Sequence, residues 1–444
     1  MQKARAVACW LGLTSLIVLP QFYQPSKPVK WAYPIVAHGD EPHYLVLLNS
    51  LIFDGDFDLR NNYLSVHEGS NQAGAAYAGS GVDHHSTYWI GDQRLVWRDL
   101  FNVNVYLWPR DAQGHLIPQV RPGVDPALAF KLEAPAHPVG IAILLAPVVF
   151  AFRGTEWVER IAIFSSALAT LLAAYFYRRL LRHFSTDEFA VWTTVFAVFL
   201  ASPMLFYSRS FFNEPFIALF IIATFAFALV PGRSFVAGAF LGMAVLLKPQ
   251  NVILVVPLSL LFLKKGDYKS LLWFGFVPSI ACVLTLWWNY RLYGSPWLGP
   301  YPFYRGSLWE GTWGLLASQR RGLVWFAPAL ALAALGWPGL VWRFRLEALV
   351  VLVGFALLFV IAAWSAYWDG GYSYGPRLIT AIIPLFGVGL VHLADRPLFR
   401  RLLPRCVLYA VILVGIAPNL IAVTHYDVSY EMTPNEILKR YFQS

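Results

Sequence analysis

The residues most able to do chemistry in this chain are Asp40 and Glu41, in the stretch Val36-Ala-His-Gly-Asp-Glu-Pro-His-Tyr44. A carboxylate can take a proton from an attacking hydroxyl, and this pair follows the first apolar segment of an otherwise greasy sequence. A charge at mid-bilayer costs roughly 2.5–3.5 kcal/mol even on lenient insertion scales, so ionisable groups in such chains collect at interfaces or in watery cavities. Pro42 suits the first turn of a helix with Asp40 as its N-cap. Tyr44, Leu47, Leu48, Leu51 and Ile52 then recur at helical spacing, which predicts an amphipathic interfacial helix too short to span. Asp40 would sit at the positive end of that helix dipole, as a base or simply as a cap.

A second set of candidates is cationic. Arg320, Arg321 and Arg377, with Lys248, Arg209 and Arg305, fall in segments that the charge pattern places opposite the other basic clusters. Arginine and lysine are natural partners of phosphate. Ordinary headgroups, or the neighbouring acids Glu214 and Asp369, are the alternative partners. Aromatic residues crowd the same segments, from Trp287 to Trp313 and from Trp364 to Tyr374. Most read as interfacial anchors, and a few could stack on a sugar ring.

These residues need a membrane scaffold. The chain has 444 residues, 58% hydrophobic and 13% charged, with a mean hydropathy of +0.53, which describes an all-α polytopic membrane protein. Apolar runs at 7–23, 158–177, 189–207, 214–231, 234–248, 250–263, 270–289, 323–341, 346–364, 378–394 and 406–424 predict about eleven transmembrane helices. With Lys3 and Arg5 inside, the clusters Arg178 to Arg182, Arg233, Lys264-Lys265, Arg343 to Arg345 and Arg396 to Arg405 all become cytoplasmic. The formal net charge of +9 is therefore a topological signal and not a nucleic-acid footprint. The whole of 1–444 reads as one integral membrane domain. Residues 24–157 form a long outer loop with interfacial or re-entrant helices, including the short segment 137–150.

Metal and disulfide chemistry find little footing. Asp54, Asp56 and Asp58 alternate as in a calcium loop, but Leu59 and Ser65 stand where glycine and glutamate belong. Seven of the ten histidines lie between His38 and His137 without a recognised ligand spacing. They read as solvated loop residues, a divalent metal being left open but not indicated, and no other cofactor is called for. Cys9, Cys282 and Cys406 lie in apolar segments and read as packing residues.

Taken in order, Gly39-Asp-Glu-Pro-His-Tyr44, His137-Pro-Val-Gly140, Asn213-Glu-Pro215, Leu247-Lys-Pro249, Asn289-Tyr-Arg-Leu-Tyr-Gly-Ser-Pro296, Gly314-Leu-Leu-Ala-Ser318 with Arg321-Gly-Leu323, and Tyr374-Gly-Pro-Arg377 resemble the GT-C superfamily. These are polytopic glycosyltransferases that use polyprenyl-phosphate sugars. The likeness is to the bacterial branch of protein O-mannosyltransferases and lipid A aminoarabinose transferases. It implies that Asp40 is the catalytic base with Glu41 beside it. His137 stands where the family often has proline.

The resemblance also implies a polyprenyl-phosphate-linked sugar donor, a lipid, glycan or protein acceptor, and a bacterial plasma membrane with the site on the periplasmic or extracellular face. Glu214, Tyr44, His137, Lys248 and the three arginines are the expected substrate-binding residues. Chemistry agrees: a phosphate leaves as a stable anion, so one base plus cations suffices and no second carboxyl acid is needed. Direct attack would invert the anomeric centre. Asp40 and Glu41, about 100° apart on a helix, do not face each other as a pair. A transporter or flippase of a lipid-linked saccharide is the alternative, although the spans lack the buried charges such a pathway uses. A non-catalytic membrane subunit, in which Asp40 is dispensable, is the third reading.

Overall fold

A computed structural model describes residues 2–22, 40–59, 62, 86–90, 93–96, 106–107, 119–120, 132–135, 137–155, 157–297, 304–371 and 373–425. In chain order the helices of eight residues or more begin with α1 (Gln2–Val18), α2 (Glu41–Phe53), α3 (Gly140–Val149), α4 (Trp157–Phe184), α5 (Glu188–Phe199) and α6 (Glu214–Ala228). They continue with α7 (Ser234–Leu247), α8 (Val255–Leu263), α9 (Tyr268–Tyr293), α10 (Leu308–Ala317), α11 (Ala333–Ala363), α12 (Ile383–Ala394) and α13 (Leu402–His425). Among the described residues, five helical stretches are long and apolar enough to cross a membrane: Ala4–Phe22, Trp157–Phe184, Tyr268–Leu292, Pro328–Ala363 and Leu402–Val423. Shorter apolar helices supply the rest of a polytopic fold.

The chain divides into two compact units, one of Met1–Ser26, Phe164–Cys282 and Phe303–Ser444, the other of Lys27–Ile163 and Val283–Pro302. In the first, helices occupy the expected apolar runs, but several are broken. The run at 189–207 is helical to Phe199 and resumes as a single turn, Met204–Tyr207, after Ser202 has turned its hydroxyl back to the Val198 carbonyl. The run ending at Lys248 breaks there. Lys248 is extended (φ −154°, ψ 101°), and Pro249–Leu254 follows as 3-10 helix, because proline cannot donate to the preceding turn. Asn251 repairs the gap by donating from Nδ2 to the Ala244 carbonyl at 2.8 Å.

The 31 residues of α11 are two arms rather than one rod. Arg345 has φ 38° and ψ −101°, far from helical values. Trp337 Nε1 donates to the Phe386 carbonyl at 3.0 Å, while the Phe355 ring lies on the Phe386 ring at 5.0 Å. Residues 337 and 355 would be about 27 Å apart on a straight helix, so the chain must fold back at Arg345. The two arms correspond to the expected spans at 323–341 and 346–364. The first packs closely on α12: a Cβ on Gly336 would run into the Gly389 carbonyl oxygen.

Two groups of turns in this unit are tied together by side chains. In one, Arg178 and Arg182 bind Glu188, Ser185 donates to Asp395 at 3.0 Å, and Phe184 meets Phe344 at 5.1 Å. In the other, Tyr207 Oη donates to the Tyr374 carbonyl at 2.8 Å, Arg209 to Val423, and Gln21 to Ser208.

The second unit holds α2, α3 and a small sheet. Helix α2 packs on α3. It is enclosed on all sides, with Tyr44, Leu45, Val46, Leu47 and Leu48 all buried, so it does not lie on a surface by one apolar face as its spacing predicts. Its polar Ser50 is held by Asp56, and Asp54 accepts from Asn62, which closes the turn after the helix. Helix α3 buries Ile141, Ala142, Leu145 and Val149 and leaves Ile143 and Val148 exposed. Ten residues reach only about 15 Å, half a bilayer, in keeping with a non-spanning element. Strand β1 (Ser86–Ile90) lies between β2 (Gln93–Val96) and a strand at Leu132–Pro135, antiparallel to both. This sheet is an addition to the all-helical expectation.

Candidate functional site

In the second unit the chain turns into α2 at Asp40 (φ −81°, ψ −12°), with Pro42 in the first turn. Asp40 occupies the cap position, yet its side chain makes no capping hydrogen bond. Its Oδ2 instead lies 4.0 Å from Nδ1 of His137, and the two side chains are 17% and 3% exposed. His137 lies in the connection from the strand to α3, and two residues of α2 hold its ring. The His43 imidazole stacks on it at 5.4 Å with 16° between planes, and the Tyr44 ring tilts against it at 5.0 Å. Asp40, Tyr44 and His137, three of the residues singled out by sequence, therefore share one cluster. Glu41, beside them in the chain, is buried at 1% exposure. His43 was not anticipated. Its signal was positional: three residues beyond Asp40 on a helix, it falls on the same face.

The first unit assembles a separate cationic group. Phe206, Tyr207, Phe212, Phe326 and Tyr374 form a buried aromatic cluster. Tyr374 is fixed there, and Gly375 then takes φ 57°, a left-handed conformation that L side chains avoid. Arg377 emerges from this turn with its guanidinium 5.1 Å from the Phe212 ring centroid. Its Nε is 3.7 Å from Oε1 of Glu214 at the start of α6, an ion pair looser than a hydrogen bond. Glu214 also lines a small cleft with Lys248, Gln250, Asn251, Leu378 and Ile382. Glu214, Lys248 and Arg377 are thus brought to one place by three breaks in helical structure.

The adjacent arginines 320 and 321 part company. Arg321 is 3% exposed and donates to the carbonyls of Ser373, at 2.5 Å, and Gly371, at 2.7 Å. Its backbone amide is held by the Ser318 hydroxyl. Arg320 is exposed. Trp309, Trp313, Trp364 and Tyr367 are exposed too, as anchors would be. Among the described residues no three histidine, cysteine or acidic side chains come together as a metal site.

The fold has a counterpart among solved structures. ArnT from Cupriavidus metallidurans in the apo state superposes with a TM-score of 0.53 at 15% identity, over 96% of this chain and 68% of that one. At that identity the likeness establishes the fold: this chain has the polytopic membrane fold of the GT-C glycosyltransferases. The archaeal oligosaccharyltransferase AglB from Archaeoglobus fulgidus, solved with an inhibitory peptide and a dolichol-phosphate, gives a TM-score of 0.48 at 11% identity, over 95% of this chain and 56% of that one. The family described as GPI transamidase subunit PIG-U matches residues 141–297, less than half of the chain. No curated relative matches by sequence.

Proposed function

We propose that the protein transfers a sugar from a polyprenyl-phosphate donor to a lipid, glycan or protein acceptor at the outer face of a bacterial plasma membrane, with inversion and with Asp40 as general base. The observation that carries this is the Asp40 carboxylate, which occupies a cap position without capping and turns toward a buried histidine instead. A residue kept only to start a helix has no reason to do so. Support also comes from the fold shared with ArnT and from the cations Arg377 and Lys248, gathered about Glu214, with exposed Arg320 a further candidate for the charge of a departing lipid phosphate. By the charge rule the end carrying Arg178, Arg343 and Arg396 is cytoplasmic, which puts the N-terminus inside and makes about eleven spans.

The test is turnover of Asp40→Asn in proteoliposomes with a polyprenyl-phosphate hexose. Loss of a positioned base lowers the rate about 10²–10⁴-fold, while asparagine starts a helix as well as aspartate does. Near-normal turnover removes Asp40 from this role. Mass analysis of envelope glycans and lipids from cells with and without the protein identifies sugar and acceptor.

The match of residues 141–297 to a transamidase subunit favours a second reading, a non-catalytic membrane subunit. In that case Asp40→Asn is silent in cells and the chain purifies with partner subunits.

A further inference from the structure

We propose that His137 is a positioning residue for Asp40, a role that rests on Asp40 being the base. The chain commits a good deal of structure to this imidazole. It is buried to 2% exposure and its ring is gripped by His43 and Tyr44, both from the first turn of the helix that Asp40 begins. The clamp fixes the direction of the ring, and that direction puts Nδ1, not Nε2, 4.0 Å from Asp40 Oδ2. This separation exceeds a hydrogen bond by about 1 Å, a slack of the kind catalytic contacts show before substrate tightens them.

With Nδ1 carrying hydrogen, His137 holds the Oδ2 edge of the carboxylate. In the displacement, the acceptor oxygen bonds to the anomeric carbon. The bond from that carbon to the phosphate oxygen breaks with its electron pair going to phosphate, and the acceptor proton passes to Asp40. His137 neither gains nor loses a proton in this step. It fixes the direction of the carboxylate, so that the proton meets a base already oriented.

Three substitutions test this, measured as kcat and KM with a polyprenyl-phosphate hexose in proteoliposomes. His137→Ala removes the donor and should lower kcat about 10²-fold, the usual effect of misplacing a reacting group by about 1 Å, with the donor KM unchanged. His137→Asn places an amide nitrogen near the Nδ1 position and should recover kcat to within about tenfold of wild type. His137→Gln reaches toward the Nε2 position and should behave like alanine. Equal losses in the asparagine and glutamine variants, or an effect on KM alone, overturn the proposal. So does an alanine variant with full kcat. Failure of the base assignment is read separately, from undiminished turnover by Asp40→Asn.

Discussion

The guanidinium of Arg321 reaches the carbonyl oxygen of Ser373 at 2.5 Å, across 52 residues of sequence, and that of Gly371 beside it. Each such bond from a charged donor is worth about 1.5–3 kcal/mol. Arg321→Ala should therefore lower thermal stability in detergent clearly, and lysine, lacking the planar fork, should recover only part of it. Exposed Arg320 gives the opposite pattern. Its replacement by alanine should leave stability in place and, if Arg320 binds donor phosphate, raise the donor KM about 10- to 150-fold. Parallel melting curves and donor titrations of the two variants separate the clamp from the ligand. Unchanged donor KM in Arg320→Ala and Arg377→Ala together assigns the phosphate to other residues.

The Glu214 and Arg377 side chains are 8% and 15% exposed and pair at 3.7 Å. Removing one partner of a buried pair leaves a charge uncompensated, at a cost of about 3–5 kcal/mol, whereas replacing both with apolar groups is often close to neutral. Glu214→Leu and Arg377→Met should each reduce folded yield, and the double variant should restore it. A double variant no better than the worse single one shows that the two residues act independently.

The proposed sidedness rests on the charge rule. A reporter fused at Lys265 should read cytoplasmic, and one at Trp309 periplasmic or extracellular. Reversal at either site places the cationic turns on the wrong side for the proposed donor.

Much of this was legible from spacing alone. Pro42 and Asp40 marked the start of α2, Lys248-Pro249 marked a break, and Arg343-Phe-Arg345 marked the hairpin, because prolines and clustered charges punctuate apolar runs locally. The enclosure of α2 was not legible. Its stripe of Tyr44, Leu47 and Leu48 suggests one apolar face, but Leu45 and Val46 are buried as well, and Ser50 is tolerated inside because Asp56 accepts its hydroxyl. The strand at Ser86-Thr-Tyr-Trp-Ile90 carried a β-branched and aromatic signal that an all-helical expectation passed over. In the candidate site, Asp40 declared itself through its neighbours in sequence. The carbonyls held by Arg321 could not, since main-chain acceptors 50 and 52 residues away leave no mark on composition or period.

The fold-back at Arg345 bears on how the protein is made. Both arms of the hairpin lean on Phe386, one through its carbonyl and one through its ring, and Phe386 leaves the ribosome 41 residues after the bend. Until then the arms have each other but not the surface that fixes their angle. On the proposed sidedness, the arginines at 343 and 345, reluctant to cross lipid, would keep the tip at the face where synthesis takes place. Assembly of this half of the molecule is therefore ordered in time: the surface that fixes the angle of the hairpin arrives only with α12.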